Sequence, residues 1–130
     1  MKILVGYDGS NSAKEALSLA RTYAKVLEAS VDVVTSMQKG TENDREEIEQ
    51  AERGLAWAQS LFEDHGIPCK THLLIRGLNP GEDLVEFARE NDIDQIVVGV
   101  KRRSKIEKLL MGSTAQFVIL NASCPVVSVK

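Results

Sequence analysis

An open, doubly wound α/β sheet, mostly parallel, with five strands and helices on both faces, is the fold this sequence predicts. Three observations lead there. Five short runs rich in β-branched residues are spread along the chain, and four longer stretches between them carry apolar residues at three- and four-residue spacing. Each longer stretch can carry the chain back across a sheet, which makes neighbouring strands parallel and their crossovers right-handed. With 130 residues and 43% hydrophobic content, the chain has apolar matter for one core, so a single domain over residues 1–130 is expected.

The first strand is Ile3-Leu4-Val5. The first helix follows, with Ala13, Ala16, Leu17, Ala20, Ala24 and Leu27 on one face and Ser12 with Glu15 in capping-box spacing at its start. Val31 to Thr35 reads as the second strand. In the second helix Ile48, Ala51, Leu55, Ala58 and Phe62 face inward, and His65-Gly66 with Pro68 just beyond form its stop. Leu73 to Ile75 is the expected third strand. The third helix starts at Asn79-Pro80 with Glu82 three residues after the cap, and turns Leu84, Phe87 and Ala88 inward. Ile96 to Val98 is the fourth strand; a fourth helix follows Gly112, with Ser113 and Gln116 in capping-box spacing; Val126 to Val129 closes the sheet.

Charge excludes some partners. Sixteen basic against nineteen acidic side chains leave a net charge of -3, which offers no general attraction for nucleic acid or an acidic membrane surface. No apolar run approaches the roughly 20 residues of a membrane span. Met1-Lys2 runs directly into the first strand without the apolar core of a signal peptide, so a cytoplasmic protein is expected. Cys69 and Cys124 have no CxxC partner or histidine pair nearby and read as buried, reduced thiols.

Sheets of this kind bind ligands beyond the carboxyl ends of their strands, where the strand order reverses. Two loops qualify. In Gly6-Tyr7-Asp8-Gly9-Ser10, the glycines permit tight geometry and Asp8 offers a carboxylate to a sugar, a base or a hydrated metal; the same residues also suit a plain Asx turn capping the first helix. The second loop follows the fourth strand. Gly112-Ser113-Thr114 at a helix start supplies backbone N–H groups and hydroxyls for a phosphate, although Ser113 is equally suited to capping alone. Between its ends, Lys101, Arg102, Arg103, Lys105 and Lys108 face one acid, Glu107. Such a run attracts phosphates, meets an acidic partner or is simply solvated.

At these residues the chain resembles the universal stress protein family, over essentially its whole length. The opening from Ile3 to Ser10, the ending from Asn121 to Val129, and Gly77 to Glu82 after the third strand are each similar to that family's segments. Its nucleotide-binding members carry Gly-x2-Gly-x9-Gly-Ser/Thr after the fourth strand; Gly99, Gly112 and Ser113 match that spacing, and Arg102 replaces the middle glycine. The resemblance implies a Rossmann-like sheet in the order 3-2-1-4-5, an ATP or AMP site with or without Mg²⁺, and homodimers pairing through the last strand. It implies a site built from Tyr7, Asp8, Gly9, Ser36, Val98, Gly99, Arg102, Gly112, Ser113 and Thr114. Tyr7 and Asp8 would lie near adenine and ribose, Ser36 beside adenine, Gly99 under the ribose and α-phosphate, and Gly112 to Thr114 at the phosphates.

Arg102 has two physical outcomes. A side chain where the backbone must take positive φ or approach a phosphate costs on the order of 1 kcal/mol and narrows the pocket. A loop that relaxes outward instead lets the guanidinium pair with a phosphate, for roughly 1.5 to 3 kcal/mol before ordering costs. Retained nucleotide binding is the expectation, in a dimeric switch or adaptor. The rival is an interaction protein of the same fold whose site Arg102 has closed, and a slow ATPase comes behind both. No catalytic or metal-ligating residue is nominated: His65 and His72 lie away from both loops with no partner acid at useful spacing, and the acids from Glu42 to Glu52 read as a solvated helix face.

Overall fold

A computed structural model describes residues 1–39, 44–100 and 111–130. The elements run β1 (Lys2–Gly6), α1 (Asn11–Leu27), β2 (Ser30–Ser36), α2 (Arg45–Glu63), β3 (Cys69–Leu74), α3 (Pro80–Glu90), β4 (Gln95–Gly99), α4 (Ser113–Asn121) and β5 (Val126–Val129). All five strands pair in parallel, in the order β3-β2-β1-β4-β5. The chain builds outward from β1 to β3, then crosses back to lay β4 and β5 on the other side of β1. The order therefore reverses between β1 and β4.

Alternation along the strands sorts the core into two layers. Ile3 and Val5 of β1, Val31 and Val33 of β2 and Val97 of β4 face α1 and α2, where they meet Ala16, Leu17, Ala20, Leu55, Ala58 and Phe62. Leu4, Val34, Ile96 and Val98 face α3 and α4, where they meet Leu84, Phe87, Ala115 and Val118. Alanines on α1 let that helix lie close against the sheet, and Phe62 fills the space beside it with no exposed surface.

The expected fold class and the order of elements hold, with local corrections. β3 begins at Cys69 and ends at Leu74, rather than spanning Leu73 to Ile75. This edge strand carries three polar residues in a row, Lys70, Thr71 and His72, so an apolar run is a poor guide to it, and Ile75 lies beyond it, 39% exposed. The N-cap of α1 is Ser10, whose hydroxyl accepts from the Ala13 amide at 3.2 Å; Ser12 lies inside the helix. Leu27 is exposed rather than inward, because α1 ends there in a left-handed cap at Glu28. The capping box of α3 is present: Asn79 Oδ1 accepts from the Glu82 amide at 2.9 Å, and Glu82 Oε1 accepts from the Asn79 amide at 3.3 Å. No such box forms in α4, where Gly112 is the cap and Ser113 the first helical residue.

Both cysteines are free; Cys69 is buried and Cys124 half-buried. On α2, Glu46, Glu47, Glu49 and Glu52 are exposed. Among the described residues no helix is long and apolar enough to cross a membrane.

Candidate functional site

A cavity of about 280 Å³ opens at the carboxyl edge of the sheet, where the strand order reverses. Its floor comes from the ends of β1, β2 and β4, and its walls from the first turns of α1, α3 and α4. Tyr7, Asp8, Ser36, Val98, Gly99, Gly112, Ser113 and Thr114 all border it. Gly9 borders an adjoining groove instead, together with Lys14 and Arg53. Arg102 and the other cations between 101 and 110 lie outside the described residues.

Each bordering residue has a structural reason for its place. Asp8 Oδ1 accepts from the Ser10 amide at 3.0 Å, the Asx turn that also brings Ser10 to its capping position. Gly9 takes φ 82°, a conformation that favours glycine. Tyr7 is only 8% exposed: its ring packs into the α1–α2 layer, 6.2 Å from the Trp57 ring and against Gly54. Burial, and next the Asp8 carboxylate, push its phenol above the usual tyrosine range. The ring thus supports the β1 end, while Tyr7 also borders the cavity.

Gly99 has a packing role that sequence spacing could not reveal. A β-carbon there would stand 2.5 Å from the Ser12 carbonyl carbon and oxygen and 2.8 Å from the Ala13 amide nitrogen. The end of β4 and the first turn of α1 therefore touch backbone to backbone, and only glycine allows it. Across from them, the first turn of α4 points into the cavity. Its earliest amides have no intrahelical acceptor, and glycine at the cap brings no side chain to occupy them. Nine residues of helix carry a partial positive charge to this end.

Opposite in character is the wall made by Val34, Pro80 and Leu84, which sequence reading missed. Val34 and Leu84 were legible only as core residues; that their outer edge would face a cavity depends on the register of β2 and the approach of α3. Behind this wall lies a polar group also missed. Asp83 is fully buried on α3, paired with Arg76 Nε at 2.8 Å and accepting the Ser36 hydroxyl. Ser36 itself lines the cavity. No spacing in the sequence signals this pair, since it depends on how the loop carrying Arg76 and the first turns of α3 lie against β2.

His72 has an acid partner after all. Its Nε2 lies 2.9 Å from Asp32 Oδ1, and its ring 4.7 Å from that of Phe87. β2 and β3 pair Val34 with His72, which sets Asp32 diagonally beside it on the same face. The pair is on the sheet face under α3, apart from the cavity's lining. Among the described residues no three His, Cys, Asp or Glu side chains gather as metal ligands.

Comparison with known proteins gives this geometry its relatives. The model of the universal stress protein family matches residues 1–130. A universal stress protein of Methanocaldococcus jannaschii is 34% identical over 140 residues, covering 99% of this chain and 81% of that protein. Among solved structures, a universal stress protein from Archaeoglobus fulgidus superposes with a TM-score of 0.91 at 39% identity, covering 100% of this chain and 98% of that one. The universal stress protein from A. fulgidus in complex with dAMP gives 0.83 at 36% identity, covering 100% and 98%.

Proposed function

The chain belongs to the universal stress protein family, and from that premise we propose that it binds an adenine nucleotide, AMP or ATP, in the cavity at the carboxyl edge. The observation that carries this reading is the polarity of the cavity. It is lined both by an apolar wall, Val34, Pro80 and Leu84, and by the open first turn of α4 with Ser113 and Thr114. A nucleotide has two matching parts, a flat base and an anionic phosphate, and a helix N-terminus suits the latter. Binding of dAMP by a relative at 36% identity supports the assignment.

In this reading the α4 amides hold the α-phosphate, the hydroxyls of Ser113 and Thr114 add donors, and Asp8 accepts from the ribose. The base lies against the apolar wall of Val34, Pro80 and Leu84. With ATP, Mg²⁺ would be held chiefly by the phosphates, since such ions need few protein ligands. Arg102 adds a cation whose attraction grows with phosphate charge, so ATP gains more from it than AMP does. Titration calorimetry tests both parts. Saturable heat with either nucleotide supports the site, and Arg102→Ala is expected to weaken ATP by about tenfold and AMP by less. Tighter ATP binding by that variant would show that Arg102 closes the site.

We further propose a homodimer through β5, which lies at the sheet edge with Val126, Val127 and Val129 half-buried. An uncovered edge strand offers unpaired backbone groups to a second copy. Light scattering at tens of micromolar is expected to give twice the chain mass, and Val127→Pro to return the monomer. A monomeric wild type would remove the dimer and leave the nucleotide site standing. Together, ligand and dimer make a nucleotide-dependent switch or adaptor the role that this reading assigns.

A further inference from the structure

Asp83 determines which way the Ser36 hydroxyl, on the β2 side of the cavity, can act. It has no exposed surface, and both of its oxygens are occupied by donors: Arg76 Nε at Oδ1, 2.8 Å away, and the Ser36 hydroxyl at Oδ2. Arg76 cannot accept, and it holds a second acid, Glu90, at 3.6 Å. Paired in this way, Asp83 is an acceptor toward Ser36. A serine hydroxyl has one proton and two lone pairs. With the proton given to Asp83, Ser36 Oγ can meet a ligand only as an acceptor.

Ser36 stands on the β2 side of the cavity beside Val34 and Leu84, with β1 between it and Gly99 and the α4 amides on the far side. That is the end suited to a base. A purine reaching this end must therefore present an N–H to Ser36. We propose that Asp83, as a positioning residue, fixes Ser36 as an acceptor for the 6-amino group of adenine, and so sets the site's preference for 6-amino over 6-oxo purines. With the base seated as for adenine, the 6-oxo group of hypoxanthine puts lone pairs against lone pairs, and its N1–H reaches Ser36 only if the base shifts by one ring position. This inference rests on the nucleotide reading given above.

Calorimetric affinities for AMP and IMP test it through their ratio, because the two ligands share ribose and phosphate. Wild type should favour AMP by about threefold to tenfold, the worth of one hydrogen bond. Ser36→Ala should bring the ratio close to one. Asp83→Asn is the sharper probe. Arg76 still requires an oxygen, so the amide nitrogen faces Ser36 and donates to it, and the serine proton turns into the cavity. The ratio should then fall to one or below. The lost charge acts on both nucleotides alike and cancels, as would any general loosening of the site. Should Asp83→Asn fail to fold, Ser36→Ala still carries the ratio. AMP binding with a wild-type ratio near one, or with a ratio unchanged in both variants, overturns this inference alone. No binding of either nucleotide to wild type overturns the nucleotide reading and this inference with it.

Discussion

Cys69 shows how one side chain can report on the fold around it. Burial, then the carboxylates of Asp32 and Glu63, push its thiol up to about 12 from an ordinary value of 9.0. The thiolate is the reactive form, so Cys69 in the native protein should resist disulfide reagents at neutral pH. A stability effect follows. Below about pH 9 both folded and unfolded chains keep the proton; above it the unfolded chain releases it and the folded one does not. Stability is thus fully present below the unfolded value and declines as pH rises toward the folded one. Urea titrations at about pH 8 and about pH 10 should show wild type losing more stability than Cys69→Ala over that interval. Equal losses would mean that the thiol titrates freely. A buried thiol was legible at Cys69 because no CxxC or histidine partner competes for it. The two acids that raise it were not, since Asp32 and Glu63 reach it only through the β2–β3 pairing and the end of α2.

Elements were legible in proportion to how far local chemistry alone decides them. Asn79, Pro80 and Glu82 specify the start of α3 within four residues, and the box forms as spaced. Asn79→Ala should cost about 1 kcal/mol in chemical denaturation, with no change in the AMP-to-IMP ratio, because the cap supports α3 without contacting the base. A loss well below that would mean that tertiary packing alone holds the α3 start. The start of α1 is harder, since Ser10 and Ser12 are both plausible caps in sequence; the Asx turn at Asp8 selects Ser10. β3 was misplaced because edge strands lack a continuous apolar run. At α4 the serine that looked like a cap is the first helical residue, which leaves the first-turn amides without a side-chain cap.

For the molecule as a whole, alternating strands and helices determined the fold class, and the family resemblance supplied the strand order that the structure bears out. The cavity follows from that order, because β1 and β4 diverge at their carboxyl ends where the crossovers leave to opposite faces. Sequence spacing found most of its border: Asp8, Gly99 and Gly112 to Thr114 come together from loops far apart in the chain. It missed the wall of Val34, Pro80 and Leu84 and the Arg76–Asp83–Ser36 arrangement behind it, since these depend on how α3 lies against β2. In the proposed function an adenine nucleotide occupies this cavity with its phosphate at α4 and its base at β2. Backbone amide NMR during an AMP titration tests it most directly. Saturable shifts should concentrate at Ser113, Thr114 and Ala115 and, across β1, at Val34 and Ser36. No saturable change at millimolar AMP, or changes confined to residues away from both ends, would contradict it.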